Sequence, residues 1–231
     1  MVVLIRNKVR TNLTITDSHG LTAKLNEIGP TLSDAEVAKV EKAVYSKLSG
    51  VSWLMLCGSL PPGVPVDFYA RVIEAAHKRK IRTLLDTDGE ALRLGLAAKP
   101  TVVSPNQEEA ERLLSMALIT RTNCLTAAER MHKMGAETVV LSLGARGAVS
   151  IHNGKLYEAV PPRVDALSPI GAGDAMSAAF LWSLENKHPF VEALRWGVAA
   201  GTASATLPGM RFATVEEALR VLNDVDVHEI E

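Results

Sequence analysis

The sequence contains few cysteines. Its 231 residues include two, Cys57 and Cys124, which lie far apart and match no spacing typical of metal ligands. A disulfide framework is therefore not expected, and the composition favours a reducing, intracellular compartment. Cys57 lies within a continuous apolar segment, which predicts a place in the core.

Segments that would direct the chain to a membrane are also missing. The stretch Met1–Arg6 has a four-residue apolar run before the first charge, which is too short for a signal peptide. No part of the sequence is apolar over the length needed to cross a bilayer. We therefore expect a cytoplasmic protein.

An excess of either charge is absent as well. The 25 lysines and arginines nearly balance the 26 aspartates and glutamates, which leaves a net charge of −1. Such a balance predicts neither a nucleic acid nor an anionic membrane surface as a partner. With 47% hydrophobic residues the chain can bury a core, and its length suits one large domain or two small ones.

Two common nucleotide-binding motifs do not occur. The sequence contains no Gly-x-x-x-x-Gly-Lys-Ser/Thr, which excludes a P-loop protein. No Gly-x-Gly-x-x-Gly follows a first predicted strand, which argues against a nicotinamide-dependent dehydrogenase. The pair Gly144 and Gly147 is too short a pattern to identify a site by itself.

Apolar segments that end in glycine, proline or acidic residues alternate with amphipathic segments along most of the chain. The apolar segments predict strands at 51–57, 81–86, 100–104 and 137–142. The amphipathic segments predict helices at 33–48, 67–80, 126–135, 189–206 and 215–223, with further helices beginning near residues 106 and 175. Hairpins are predicted at 12–25, with a turn at Ser18–Gly20, and about Asn153–Gly154. This alternation is typical of the α/β class, with a mainly parallel sheet and helices on both faces.

The carboxyl ends of the predicted strands carry glycines and polar side chains. They are Gly58, Ser59, Asp86, Asn106, Glu109, Ser142–Gly147 and Gly171–Asp174. Because parallel strands end at one edge of a sheet, we expect these residues to share that edge. Backbone N–H groups there can bind phosphate, and carboxylate oxygens can hold Mg²⁺ or accept a proton.

The segment Leu167–Asp174 opens directly into a helix, so its glycines are predicted to lie at the helix N-terminus. Free N–H groups and the positive end of the helix dipole make such a position an anion site. Asp174 has two interpretations here. It either takes a proton from a hydroxyl beside a bound phosphate or caps its own helix.

Eight segments occur in the same order as in one family of sugar kinases. They are Arg10–Leu13, Lys24–Glu27 with Gly29–Pro30, Gly58–Gly63, Asp86–Leu92, Pro105–Glu109, Ser142–Gly147, Gly171–Asp174 and Ala199–Gly201. On these segments, from about Arg10 to Ala218, the chain resembles the PfkB (ribokinase-like) carbohydrate kinases. Within that family it is most similar to the branch of 1-phosphofructokinases and tagatose-6-phosphate kinases.

The resemblance implies a ribokinase-like fold and the transfer of phosphate from magnesium-ATP to a ketohexose monophosphate. The reaction implied first is fructose 1-phosphate to fructose 1,6-bisphosphate. Tagatose-6-phosphate or fructose-6-phosphate kinase activity remains an alternative. A truncated, inactive remnant that retains nucleotide binding is the other.

The resemblance also implies roles for residues near Asp174. Asp174 would be the catalytic base, and the N–H groups of Gly171, Ala172 and Gly173 would form an anion hole for the transferred phosphoryl group. Asn106 and Glu109 match the family's Asn-x-x-Glu, which helps to place magnesium and the triphosphate through water.

Further roles concern the nucleotide and the sugar. The implied nucleotide-binding residues are Asn106, Ser142, Gly144, Ala145, Gly147 and Gly173, with adenine towards the helix at 199–205. The implied sugar-phosphate residues are Arg10, Asn12, Ser59 and Asp174. For Arg10, a guanidinium that grips phosphate with two bonds competes with a solvated charge on a hairpin.

The sequence departs from the family pattern in three places. The family's N-terminal part is not present, so residues 1–30 are interpreted as a remnant of a β lid and substrate segment, and 31–231 as an α/β nucleotide-binding domain. Ser104 stands where a Lys usually precedes Pro-Asn, and Pro169 resembles the tagatose-6-phosphate branch.

These departures predict that the chain associates with itself, as a homo-oligomer or with poor solubility. A strand such as 51–57, apolar on both faces, would present an open sheet edge if neighbouring strands were missing. Static light scattering measures this, and a stable, monodisperse monomer would contradict the prediction.

Overall fold

The computed structural model describes residues 2–16 and 22–230. Contacts divide the chain into two compact units, Met1–Val102 with Met134–Ala136, and Val103–Lys133 with Glu137–Glu231. The boundary predicted at residues 30 and 31 lies inside the first unit, and the assignment of a lid remnant stays a prediction.

The first unit begins with an antiparallel hairpin of β1 (Asn12–Thr16) and β2 (Thr22–Asn26). Asn12 lies opposite Asn26, and the pairing confirms the hairpin that the alternation of polar and apolar residues predicts. The predicted turn at Ser18–Gly20 lies outside the described residues.

The rest of the first unit alternates helices and strands. Its elements are α1 (Asp34–Lys47), β3 (Trp53–Cys57), α2 (Phe68–His77), β4 (Arg82–Asp86) and α3 (Gly89–Ala97). β3 and β4 pair in parallel, in agreement with the predicted α/β pattern. α1 starts with a capping box of Ser33 and Glu36. The hydrogen bond that the backbone N–H of Ser33 donates to the Glu36 carboxylate is the main cause that lowers the pKa of Glu36 to about 2.

The continuous apolar sequence of β3 predicts a strand buried on both faces, with Cys57 in the core, and this prediction is wrong. Leu56 is buried, but Met55 and Cys57 on the opposite face are exposed. Successive side chains of a strand point to opposite faces. Because every residue of β3 is apolar or aromatic, the sequence pattern hides which face is covered.

The second unit contains most of the helices. The short strand β5 (Val102–Val103) contains the boundary between the two units. The elements that follow it are α4 (Gln107–Leu114), α5 (Arg121–Lys133), β6 (Thr138–Ser142), β7 (Ala148–His152), β8 (Lys155–Val160), α6 (Ala172–Glu185), α7 (Phe190–Ala205), α8 (Val215–Leu222) and β9 (Asp226–Ile230). The strands β6 to β9 are neighbours in that order and pair antiparallel. Asn153 and Gly154, at φ 51° and 76°, form the turn predicted between β7 and β8.

α7 packs closely against α6 at two of its glycines. A Cβ on Gly201 would lie 3.0 Å from the carbonyl oxygen of Ala172, and one on Gly197 would lie 3.0 Å from that of Met176. The absence of these side chains lets the backbone of α7 approach the first two turns of α6.

No helix within residues 2–16 and 22–230 is long and apolar enough to cross a membrane.

His152 predicts a pH dependence of stability. Its ring stacks on Phe190 at 4.2 Å, its Nδ1 lies 2.8 Å from the hydroxyl of Thr138, and burial lowers its pKa from the ordinary 6.5. His152 therefore binds a proton more readily in the unfolded chain than in the folded one. Its contribution to the free energy of unfolding is complete above pH 6.5 and decreases as the pH drops towards the pKa of the folded state.

Urea unfolding of the wild type and of His152→Phe between pH 7.5 and 5 measures this effect. We expect the variant to lose less stability on acidification, because phenylalanine does not titrate. Equal slopes in the two proteins would contradict the assignment to His152.

Candidate active site

The segment before α6 is tied to the end of α7. The backbone N–H groups of Leu167 and Ser168 both donate to the carbonyl oxygen of Ala205, at 2.8 and 3.0 Å, and the N–H of Ile170 donates to the hydroxyl of Ser168 at 3.3 Å. These bonds fix the direction in which the chain enters α6.

The glycine-rich segment forms the N-terminus of α6, as the sequence predicts. Gly171 is the N-cap at φ 79°, and the helix begins at Ala172, three residues earlier than expected. The first N–H groups of a helix have no acceptor within the helix. Of the N–H groups of Gly171 to Asp174, only the one of Ala172 donates to a backbone oxygen among the described residues, namely the oxygen of Pro169 at 3.3 Å.

Asp174 is an exposed residue of the first turn of α6, so it does not occupy the N-cap position. The N-cap is Gly171, which has no side chain to cap the helix, and Asp174 lies three residues after it. The interpretation of Asp174 as a cap of its own helix is therefore not supported. A Cβ on Gly173 would meet nothing within 4 Å, whereas one on Gly171 would lie 2.8 Å from the ring of Phe212. The helix N-terminus is thus sterically open beside Gly173, whereas the aromatic ring of Phe212 covers it beside Gly171.

Asn106 and Glu109 form a capping box at the start of α4. The side-chain oxygen of Asn106 accepts from the N–H of Glu109 at 3.0 Å, and a carboxylate oxygen of Glu109 accepts from the N–H of Asn106 at 2.9 Å. This geometry explains the Asn-x-x-Glu spacing and leaves both side chains at a helix N-terminus.

These two residues fit a metal held partly by other ligands. Among the described residues, no group of three or more His, Cys, Asp or Glu could hold a metal ion. Mg²⁺ keeps several waters and takes one or two carboxylates together with substrate phosphates. A carboxylate and an amide oxygen at a helix N-terminus are compatible with that mode.

The loop at 142–147 lies against the start of α4. The N–H of Ser142 donates to the carbonyl oxygen of Pro105 at 3.0 Å, and Asn106 and Ser142 form a parallel bridge. A short 3-10 helix, Gly144–Arg146, follows, and the N–H of Gly147 donates to the oxygen of Gly144 at 3.0 Å. Gly147 has φ 87°, and a Cβ there would overlap the backbone oxygen of Ala159, so only glycine fits.

The pair Ser104 and Ser177 was not predicted from the sequence. The hydroxyl of Ser177 lies 3.2 Å from that of Ser104, and both residues are buried. Ser177 follows Asp174 by three residues on α6, and Ser104 precedes Asn106 by two. Ser104 therefore forms a buried link between α6 and the segment entering α4.

Three of the four predicted sugar-phosphate residues, Arg10, Asn12 and Ser59, lie in the first unit, and the fourth, Asp174, lies in the second. A guanidinium nitrogen of Arg10 donates to the hydroxyl of Ser59 at 3.2 Å, so the structure brings these two residues together. Asn12 is exposed at the beginning of β1. Arg10 is exposed too, but it contacts the loop after β3 and is not a purely solvated hairpin charge.

Tyr69 and Thr87 were missed from the sequence. The hydroxyls of both donate to the carbonyl oxygen of Gly58, at 3.0 and 2.9 Å, and so fix the loop that carries Ser59. Burial raises the pKa of Tyr69 to about 12, so its hydroxyl stays a donor. Tyr69 lies on the apolar face of α2, which gives no sequence signal for such a role.

The predicted site residues thus fall into two groups. The base, anion-hole, metal and nucleotide residues all lie in the second unit, and Arg10, Asn12 and Ser59 all lie in the first. The fold and these groups define an α/β protein with a glycine-rich segment at the N-terminus of α6.

The chain belongs to the PfkB family. The sequence profile described as pfkB family carbohydrate kinase matches residues 2–217. The ATP-dependent 6-phosphofructokinase isozyme 2 of Escherichia coli (strain K12) is 35% identical over 195 residues, which cover 84% of this chain and 63% of that protein. The 1-phosphofructokinase of Bacillus subtilis (strain 168) is 31% identical over 186 residues, which cover 80% of this chain and 61% of that protein.

Solved structures agree with this family. Phosphofructokinase-2 from Escherichia coli in complex with potassium is 33% identical, with a TM-score of 0.85, and the match covers 93% of this chain and 70% of that chain. The tetrameric inhibited form of that enzyme is 32% identical, with a TM-score of 0.82 and coverage of 96% and 72%. The fold is therefore ribokinase-like. The chain spans between 61% and 63% of the length of the two sequence relatives.

The Ser104–Ser177 hydrogen bond predicts an energetic coupling between the two positions. We expect Ser104→Ala and Ser177→Ala each to leave one buried hydroxyl without its partner, and the double variant to be more stable than the sum of the single changes predicts, by about 0.5–1.5 kcal/mol.

Urea unfolding of the wild type and the three variants measures this coupling. Ser46→Ala, which removes an exposed hydroxyl in α1, is a matched control with little expected effect. Strictly additive changes would show that the two hydroxyls do not interact.

Proposed function

We propose that this chain transfers the terminal phosphate of ATP to a hydroxyl of a ketohexose monophosphate. The observation that carries the proposal is the position of Asp174. Its carboxylate is exposed in the first turn of α6, beside Gly171, Ala172 and Gly173, where N–H groups and the helix dipole favour an anion.

In the proposed reaction, Asp174 accepts the proton of the acceptor hydroxyl. The hydroxyl oxygen then forms a bond to the terminal phosphorus as the bond to the bridging oxygen of ADP breaks. The N–H groups of Gly171, Ala172 and Gly173 donate to the oxygens of the phosphoryl group in transit. Positioning and electrostatic stabilisation supply most of the rate in such transfers.

ATP is proposed to lie along the second unit. The nucleotide is proposed to contact the loop residues Ser142, Gly144, Ala145 and Gly147. Its adenine is proposed to lie towards the end of α7, at 199–205. Asn106 and Glu109 place magnesium through water. When bound, the metal would neutralise charge on the phosphates. The support is the contact of the loop at 142–147 with the start of α4.

The sugar phosphate is proposed to bind Arg10, Asn12 and Ser59 in the first unit. A guanidinium that donates two parallel bonds matches the geometry of a phosphate group. Fructose 1-phosphate is the first candidate because the Bacillus subtilis relative is named a 1-phosphofructokinase. Fructose 6-phosphate is supported by the Escherichia coli relative, and tagatose 6-phosphate by Pro169.

A second candidate function is nucleotide binding without phosphate transfer. The nucleotide residues lie together in one compact unit, and the chain spans only part of the length of its relatives. Assembly with other copies and a cytoplasmic location remain predictions. The tetrameric form of the Escherichia coli enzyme supports the first of these.

The test is ADP release from magnesium-ATP with fructose 1-phosphate, fructose 6-phosphate and tagatose 6-phosphate in parallel. We expect turnover with one of them, and at least about a hundredfold lower kcat in Asp174→Asn, because a general base contributes that much or more. Arg10→Ala is expected to raise KM for the sugar phosphate more than KM for ATP.

Asp165→Asn serves as the control, since it removes a carboxylate from the loop before α6 without touching the proposed site. Full activity of Asp174→Asn would contradict the proposed base. Binding of ATP without turnover on any of the three sugars would favour the second candidate function.

A further inference from the structure

Arg146, in the proposed nucleotide loop, is exposed, but its side chain contacts α4 and the segment that follows α4. Its guanidinium donates to the side-chain oxygen of Gln107 at 2.7 Å and to the backbone oxygens of Leu118 and Ile119 at 3.2 and 3.3 Å. It also approaches the sulfur of Cys124 at 3.9 Å. An arginine serving only solubility would extend into water, so these contacts indicate a structural task.

The contacts of Arg146 belong to a closed ring of hydrogen bonds. The amide nitrogen of Gln107 donates to Glu111 at 2.9 Å, and the same carboxylate oxygen of Glu111 accepts from the N–H of Leu118 at 2.8 Å. The oxygen of Leu118 accepts in turn from Arg146. These four residues, Arg146, Gln107, Glu111 and Leu118, are termed the Arg146 ring.

The ring joins two segments that the proposed function assigns to ATP and magnesium. Gln107 follows Asn106 directly and is the first residue of α4, and Arg146 directly precedes Gly147. The stem of the loop is held by the bond from Ser142 to Pro105. The tip has glycines at both ends, Gly144 and Gly147, and positive φ at each, so its backbone is intrinsically permissive. Among the described residues of this tip, Arg146 is the one whose side chain bonds to α4, through Gln107.

We propose that Arg146 is a positioning residue for ATP. It holds the tip of the loop at 144–147 at a set distance from the start of α4, and it does so through the Arg146 ring and not by contact with phosphate. This inference rests on the proposed function. It predicts that loss of Arg146 weakens nucleotide binding while the transfer step, which depends on Asp174, is retained.

The experiment measures magnesium-ATP affinity by calorimetry, and KM and kcat with the accepted sugar phosphate. For Arg146→Ala we expect Kd and KM for ATP to rise about five- to tenfold, as the loss of one or two hydrogen bonds implies, with kcat within about twofold of the wild type. Gln107→Ala, which removes the partner on α4, should shift affinity in the same direction. Arg146→Lys keeps the positive charge but loses the planar guanidinium with its several N–H donors, so we expect it to restore little of the ATP affinity.

Arg112→Ala is the matched control, because Arg112 is an exposed arginine of α4 that lies outside the ring. If it weakened ATP binding as much as Arg146→Ala, the effect would be one of charge, and the inference would be wrong. Unchanged ATP affinity in Arg146→Ala would overturn it too. A kcat that falls while KM stays constant would instead make Arg146 part of the transfer step.

A structural readout separates a failure of this inference from a failure of the proposed function. Hydrogen exchange at the Leu118 amide and labelling of the buried Cys124 should both speed up in Arg146→Ala. If the wild type bound no ATP, both proposals would fail together. If the wild type bound ATP and Arg146→Ala retained full protection and affinity, only the role of Arg146 would fail.

Discussion

The close contact between α6 and α7 is the constraint on which the candidate site depends. Gly197 and Gly201 remove the side chains that would hold the two backbones apart, at the level of the first two turns of α6. The end of α7 also accepts the hydrogen bonds that guide the chain into α6. α7 therefore sets both where α6 starts and how it points, and with them the position of Asp174.

The remainder of the second-unit site is built by hydrogen bonds that leave polar surfaces available. The capping box of Asn106 and Glu109 orients two oxygen-bearing side chains, and Ser142 bonds to the backbone beside them. The buried pair Ser104 and Ser177 joins that region to α6. The residues proposed as base, anion site and nucleotide loop thus share one framework, which is consistent with a family of carbohydrate kinases.

Much of the fold follows from local sequence signals. Two helix starts were predicted correctly because the side chains of Ser33 and Asn106 cap them. The turn at Asn153–Gly154 was predicted correctly because these residue types tolerate positive φ. α3 and β9 were missed. β9 is an edge-type strand of mostly polar residues, and its strand state depends on pairing with β8, which no local pattern records.

The sequence by itself determined the family, the caps and turns, and the presence of a glycine-rich helix start bearing Asp174, because each depends on neighbouring residues. Tertiary structure decided that Asp174 lies in the first turn and is not a cap, that Cys57 is exposed, and that Arg146 faces α4. These outcomes depend on which surfaces pack together, and residues distant in the chain supply those surfaces. The Arg146 ring joins positions up to 39 residues apart, a distance over which sequence periodicity carries no information.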